Sequence, residues 1–336
     1  MTKRAHLLLA ALLAGATGAG CNPGNNSPDA ATPFTRDFTR NPALFALSGV
    51  QQVDALGDLH GDFEVTIRML VKTGLMTAST PYQWTGGTRV LVITGDVIDK
   101  GSSATSIIDL LIDLEAQARS AGGALVVTLG NHEAEFLADP TDAKSREFQA
   151  ELARLSLDPA KVAAGETRYG AWLNSRPVAA LVDGWFFCHG GNTDGKSASA
   201  IGDKYRDLFS SKKIAGPSVF ADSYLLKSSS LLEESGWWND GGAGPVALID
   251  ANLAALPARH VVFGHDPGDL SFPADPLGDR SRGRMVARYD GRVFAIDVGM
   301  SYAIGYSDGA LLRIVRGEQE TASAIYPDGR STQLWP

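Results

Sequence analysis

The stretch RVLVITGDVIDKG, residues 89–101, decides how the rest of the chain is read. Its first half is a run of aliphatic and β-branched residues stopped by glycine, the pattern of a strand buried on both faces. Its second half places Asp96 and Asp99 directly after that strand, next to glycines that let the backbone turn sharply. The same arrangement recurs four times. Apolar runs lead into GDLHGD (57–62), GNHE (130–133), CHGG (188–191) and GHDP (264–267). Five strands ending in such motifs predict that Asp58, His60, Asp96, Asn131, His189 and His265 converge at one edge of a sheet, where open α/β sheets place their ligands. Carboxylate and amide oxygens with imidazole nitrogens suit a pair of divalent first-row ions. One such motif alone reads as an ordinary turn, because Asp, Asn and Gly favour turns. Five in order read as a site.

Helices fill the gaps. Residues 63–72 set Phe63, Ile67, Leu70 and Val71 on one face. Residues 104–119 set Ile107, Leu111 and Leu114 on one face, with Gly122 and Gly123 placed to close the helix. Strand, helix and strand between Val90 and Thr128 form a crossover unit. Residues 145–155 carry Phe148, Leu152 and Leu155 at helical spacing. Because they lie between two donor motifs, 139–182 reads as an inserted helical cap. Residues 286–316 alternate in strand fashion around an Asp-Gly turn and read as late strands completing a second sheet.

With 336 residues, 44% hydrophobic and 20% charged, the composition is that of a soluble globular protein. A net charge of −8 argues against a nucleic-acid footprint. Residues 1–20 read as a secretory signal: Lys3 and Arg4 precede an apolar run and then small residues. Cys21 follows Gly18-Ala19-Gly20, which resembles a lipoprotein signal. The expected location is therefore the bacterial cell envelope, facing the periplasm, with membrane contact only through an N-terminal lipid. Residues 21–40 read as a flexible tether and 41–336 as the functional domain. Cys188, the other cysteine, reads as a buried thiol, and His260 as structural. Trp237 and Trp238 fit either the core or the wall of a substrate groove. Glu133 and Asp62 read as local hydrogen-bonding and capping residues, and Asp297 as a possible support for the site.

Together the five motifs resemble the calcineurin-like metallophosphoesterases. Within that superfamily they resemble the phosphoprotein phosphatases, and the phrases WTGG, WLNSRPV and IDVGMSYA resemble the bacterial Shewanella-like branch. The resemblance covers roughly residues 53–312. It implies an α/β fold of two β-sheets sandwiched by helices, with a dimetal site at the strand ends. It assigns Asp58, His60 and Asp96 to one ion and Asp96, Asn131, His189 and His265 to the other, the ions being manganese, iron or zinc. It implies that a hydroxide shared by the two ions attacks phosphorus, that His132 is the general acid, and that Asp99 orients it. Lys100 and Asn131 would bind substrate, a phosphorylated protein or small phosphate ester.

One departure bears on substrate. The family clamps phosphate with two arginines. Here one position is Lys100, and at the other the sequence after Asn239-Asp240 runs into glycines. A lysine cannot make the bidentate fork of a guanidinium. Arg176, Arg280, Arg282 and Arg284 are candidate substitutes. The missing clamp also keeps open a phosphodiesterase or dinucleoside polyphosphate hydrolase, and a non-catalytic, metal-stabilised envelope binding protein.

Overall fold

The structure, a computed structural model, describes residues 34–210, 225–240, 242 and 244–336. The expected signal, Cys21 and most of the expected tether lie outside the described residues. The last part of that tether is docked rather than free. Arg36 donates to the carbonyls of Asn174 (2.6 Å), Arg176 (3.0 Å) and Pro42 (2.9 Å), and it lies over the ring of Phe38.

Two six-stranded mixed sheets form the framework. In one, β2 (Gln52–Leu56), β3 (Val90–Ile93) and β4 (Ala124–Val127) run parallel, and β10 (Leu311–Arg316), β11 (Glu320–Ile325) and β12 (Ser331–Trp335) extend it antiparallel. In the other, the order is β1 (Leu44–Leu47), β5 (Ala179–Val182), β6 (Trp185–Cys188), β7 (His260–Phe263), β9 (Val293–Ala295) and β8 (Val286–Arg288). The strands read as apolar runs are buried on both faces, and one continuous apolar core joins the sheets and their flanking helices. Each such fully buried aliphatic or aromatic side chain contributes about 1.5–3 kcal/mol relative to exposure.

The helices follow the sequence closely at their starts. α1 (Phe63–Lys72) begins at Asp62, whose carboxylate accepts the Val65 N–H at 3.0 Å. It buries Val65, Met69 and Leu70, while Phe63, Ile67 and Val71 are half-buried. α2 (Ala104–Ser120) buries Ile107, Leu111 and Leu114 and is followed by Gly122 at φ +79°.

Three expectations are corrected. First, the strand pattern alone puts the donors at one sheet edge, whereas the donor-bearing strands belong to two sheets and the donors meet between them, as the family resemblance implies. Second, the late strands divide: β8 and β9 extend the sheet of β6 and β7, and only β10 joins the sheet of β2. Third, the segment expected as a helical cap is helical only in part. Ala143–Ser145 is a single 3-10 turn, and α4 (Arg146–Arg154), α5 (Pro159–Ala163) and α6 (Arg168–Asn174) pack on α2 and α3 (Asn131–Ala138). Ala179–Val182 is instead strand β5, because Asp183 and Gly184, both at positive φ (49° and 87°), make a two-residue hairpin turn into β6. Leu155, expected on the buried face of α4, is 48% exposed because the helix ends one residue before it.

Candidate active site

Strand register brings the donors together. β2, β3 and β4 end level with one another, Leu56 pairing with Ile93 and Ile93 with Val127. They deliver Asp58, His60, Asp96 and, at the first residue of α3, Asn131. In the other sheet Cys188 pairs with Phe263, so His189 and His265 emerge side by side. Two hydrogen bonds tie the sheets across the site. The His265 N–H donates to Asp58 Oδ1 at 3.0 Å, and His189 Nδ1 donates to the Thr94 carbonyl at 2.7 Å. Gly264 permits this approach, since a Cβ there would lie 2.5 Å from Asp58 Oδ1. His60, Asp96, Asp99, Lys100 and His265 all sit at positive φ, between 43° and 66°. Backbone strain of this kind gathers where side chains must be aimed.

The side chains form two overlapping groups. His60, Asp96 and His132 offer donor atoms within 4.8 Å of one another, and so do Asp96, His189 and His265. Asp96 is common to both. His132 completes the first group where the resemblance puts Asp58, whose Oδ2 lies 3.6 Å from His60 Nε2. The donor chemistry fits cations. With its Nδ1 proton given to Thr94, His189 turns Nε2 toward Asp96 Oδ1 at 3.3 Å and His265 Nδ1 at 3.2 Å. His60 Nδ1 lies 3.3 Å from the Ile98 carbonyl, so its Nε2 likewise faces the Asp58 and Asp96 carboxylates. The Asn131 amide sits 2.9 Å from His189 Nε2. With NH2 turned there it donates to His189 and Asp96; with Oδ1 turned there it is one more electron pair around the same point. Asp58 Oδ2 is buried without a hydrogen-bond partner. This crowd of carboxylate and imidazole donors suits divalent cations among them.

The electrostatics set His189 apart from the other imidazoles. Burial disfavours a charged His189, but the carboxylates of Asp96 and Asp58 outweigh it and push its pKa up to about 10, so a cation at its Nε2 would have to displace a proton. Burial drives His60 down to about 3 and His265 down to about 4, leaving both neutral as ligands must be. Burial and the nearby Asp297 push Asp58 well above the usual carboxylate range.

Glu133 does more than a local hydrogen-bonding residue would. Its buried carboxylate accepts four backbone N–H groups: Asp96 and Gly130 at 2.9 Å, Val97 at 2.7 Å and Ile98 at 3.1 Å. It thereby shapes the loop that aims Asp96. Glu133→Ala leaves those donors buried and unpaired, and is expected to lower unfolding stability by about 3 kcal/mol or more in a denaturant titration. Glu133→Gln, which turns an amide donor toward N–H groups, is expected to lose a large part of the same stability. A melt unchanged in both variants would refute the clamp.

Beside the donors, His132 Nδ1 lies 3.0 Å from Asp99 Oδ2, and Asp99 Oδ1 accepts the Phe148 N–H of α4 at 3.2 Å. Burial opposes a charged His132, but Asp96 and Asp99 raise its pKa above the ordinary value. A cleft of about 440 Å³ opens over Asn131 and His132, rimmed by Lys100, Lys144 and Arg146. Lys100 Nζ reaches His60 Nε2 at 2.9 Å.

The candidate arginines are placed elsewhere. Arg176 pairs with Glu115 and lies 4.2 Å over the Trp172 ring. Buried Arg280 is spent on the carbonyls of Asp266 and Gly268. Arg282 pairs with Asp269, and Arg284 is exposed outside the cleft. Trp237 and Trp238 are core, Trp238 stacking on Phe272 at 4.8 Å. Cys188 is buried, which pushes its thiol up, and His260 stacks on Trp185 at 3.9 Å. Asp297 is buried near Asp58, its own carboxyl pushed up to about 6 by burial.

The profile of the calcineurin-like phosphoesterase family matches residues 52–269. The chain belongs to that family. Among relatives of this phosphoesterase, Shewanella-like protein phosphatase 2 of Arabidopsis thaliana is 39% identical over 83 residues, 25% of this chain and 21% of its own length. Serine/threonine-protein phosphatase rdgC of Drosophila melanogaster is 25% identical over 283 residues, 82% of this chain and 39% of its own length. The matches thus span well under half of the curated relatives. Among solved structures, the cold-active protein-tyrosine phosphatase of a psychrophilic Shewanella superposes with a TM-score of 0.68 at 21% identity, covering 87% of this chain and 82% of that one. That likeness is one of fold.

Proposed function

We propose that this phosphoesterase hydrolyses phosphate monoesters with the help of two divalent cations. The observation that carries the reading is Asp96, shared by two donor groups, with His132 held against it by Asp99. Asp58, His60, Asp96, Asn131, His189 and His265 would hold the cations. When bound, these would supply Lewis-acid activation of water and neutralise charge on the phosphoryl oxygens. His132 donates to Asp99 from Nδ1, so its Nε2 points into the cleft and carries the proton that a leaving alkoxide needs. The Phe148 N–H fixes the second oxygen of Asp99 and so fixes the ring. Lys100 Nζ and a cation cannot both use His60 Nε2, and an ammonium released from that nitrogen would be placed to meet substrate oxygens. The relatives named as protein phosphatases favour a phosphorylated protein as substrate.

The test is hydrolysis of p-nitrophenyl phosphate against its bis-ester by protein stripped of metal and reloaded with manganese. A metal-dependent rate favouring the monoester is expected. A preference for the bis-ester would replace this reading with a phosphodiesterase, and no rate on either would favour the binding protein.

A further inference from the structure

We infer that Arg146, assisted by Lys144, is the phosphate clamp of this chain, supplied from the start of α4 instead of from the motif positions where the family keeps its arginines. The inference rests on the phosphomonoesterase reading and names the residues that bind the substrate's phosphoryl group. The cleft over Asn131 and His132 is lined by three cations, Lys100, Lys144 and Arg146, and by the carboxyl-bearing residues Glu135, Asp142 and Glu147. Only Arg146 has the planar fork that matches two phosphate oxygens at once. The other candidate arginines are spent on carbonyls and carboxylates or lie outside the cleft.

The position of Arg146 is set by the acid machinery itself. Two residues on, the Phe148 N–H binds Asp99, the carboxylate that holds His132. One turn further, the Glu151 carboxylate accepts the N–H groups of Ala104 and Thr105, both at 2.9 Å, at the start of α2 just after the GDVIDKG motif. α4 is thus pinned at one point to Asp99 and at a second to the start of α2, and Arg146 stands at its cleft end. The side chain is 78% exposed and pairs with Glu147, its neighbour in the chain, at 2.7 Å. Lys144 pairs with Glu135. Both cations are exposed, so their pairs are weak and screened, and a phosphate dianion would compete with the two carboxylates for them.

The test uses the metal-loaded protein and inorganic phosphate, read by calorimetry, with p-nitrophenyl phosphate kinetics alongside. Arg146→Ala is expected to weaken phosphate binding about tenfold and to raise KM by a similar factor, with metal content and melting temperature unchanged. Arg146→Lys should recover part of the loss, Lys144→Ala should show a smaller one, and Glu147→Gln should tighten binding. Arg282→Ala, outside the cleft, should change nothing. Phosphate binding that is the same in wild type and in the Lys144→Ala/Arg146→Ala double variant would overturn the clamp, as would wild-type protein that binds no phosphate. Because calorimetry needs no turnover, an inactive wild type whose phosphate affinity still depends on Arg146 would refute the phosphatase reading and leave the clamp standing.

Discussion

Asp96→Ala is expected to lower metal-dependent hydrolysis on the order of 10⁴-fold or more, by emptying the centre and not by unfolding the protein. The reasoning is geometric. Asp96 is the donor common to both groups, with His189 Nε2 3.3 Å from its Oδ1 and His60 Nε2 3.7 Å from its Oδ2. Any other ligand variant impairs one group; this one breaks both. The loop itself survives, because Glu133 holds it through backbone N–H groups, including that of residue 96, which no side-chain change removes. The lost contact between Asp96 Oδ1 and the His132 N–H, at 3.1 Å, is local. Metal content should therefore fall from two equivalents toward none while far-UV circular dichroism stays native. Asp96→Asn keeps the shape and loses the charge, and should behave nearly as badly. A variant that retained both metal equivalents, or hydrolysed monoester at a rate near wild type, would remove Asp96 from the centre of the mechanism.

The convergence of Asp58, His60, Asp96, Asn131, His189 and His265 is legible because each follows a buried apolar run and is flanked by glycine. Such a pattern states both where a side chain emerges and that the backbone there can bend. What the pattern lacks is pairing. Nothing in the runs 52–56 and 185–188 says that they lie in different sheets; the strand pattern by itself points to a single sheet edge, and only the family resemblance implies two sheets with the centre between them. The pairing is fixed by contacts distant in sequence, such as the bond from His189 to the Thr94 carbonyl and the close approach that Gly264 allows. Strand β5 escaped for a different reason. Its Asp183-Gly184 turn carries the same two-residue signal as Asp290-Gly291, but the neighbouring amphipathic helices drew 179–182 into the helical reading.

The residues that shape the site from behind were harder to find. Glu133 looks like the end of a short motif, and only the folded loop shows four N–H groups converging on it. Arg146 is an exposed charge at a helix start, which by itself signifies a solvated surface. It acquires meaning from the Phe148 N–H that docks its helix on Asp99. Arg36, read as part of a tether, is fixed by carbonyls of 174 and 176, more than 130 residues away in the chain. Sequence reading found the groups whose chemistry is special and missed those whose placement is.

His132→Ala is expected to separate acid catalysis from metal binding. On esters with poor leaving groups, such as phosphoserine, turnover should fall about 10²- to 10⁴-fold, the range of a positioned general acid. On p-nitrophenyl phosphate, whose leaving group departs without a proton, the loss should be far smaller. Although His132 Nε2 lies 3.9 Å from Asp96 Oδ2, metal content should hold, because Asp58, His60, Asp96, Asn131, His189 and His265 all remain. Asp99→Asn probes the same step from behind. The asparagine amide would turn its NH2 toward His132 Nδ1 and so favour a ring without the Nδ1 proton. A neutral imidazole is a much weaker acid than the imidazolium, and the slow esters should again suffer most. The decisive plot is log rate against leaving-group pKa for wild type and both variants: removing the acid steepens the slope, because charge on the departing oxygen goes uncompensated. If the two variants lost the same factor on every ester, fast and slow alike, His132 would be a ligand or a support, and the proton would have to come from elsewhere.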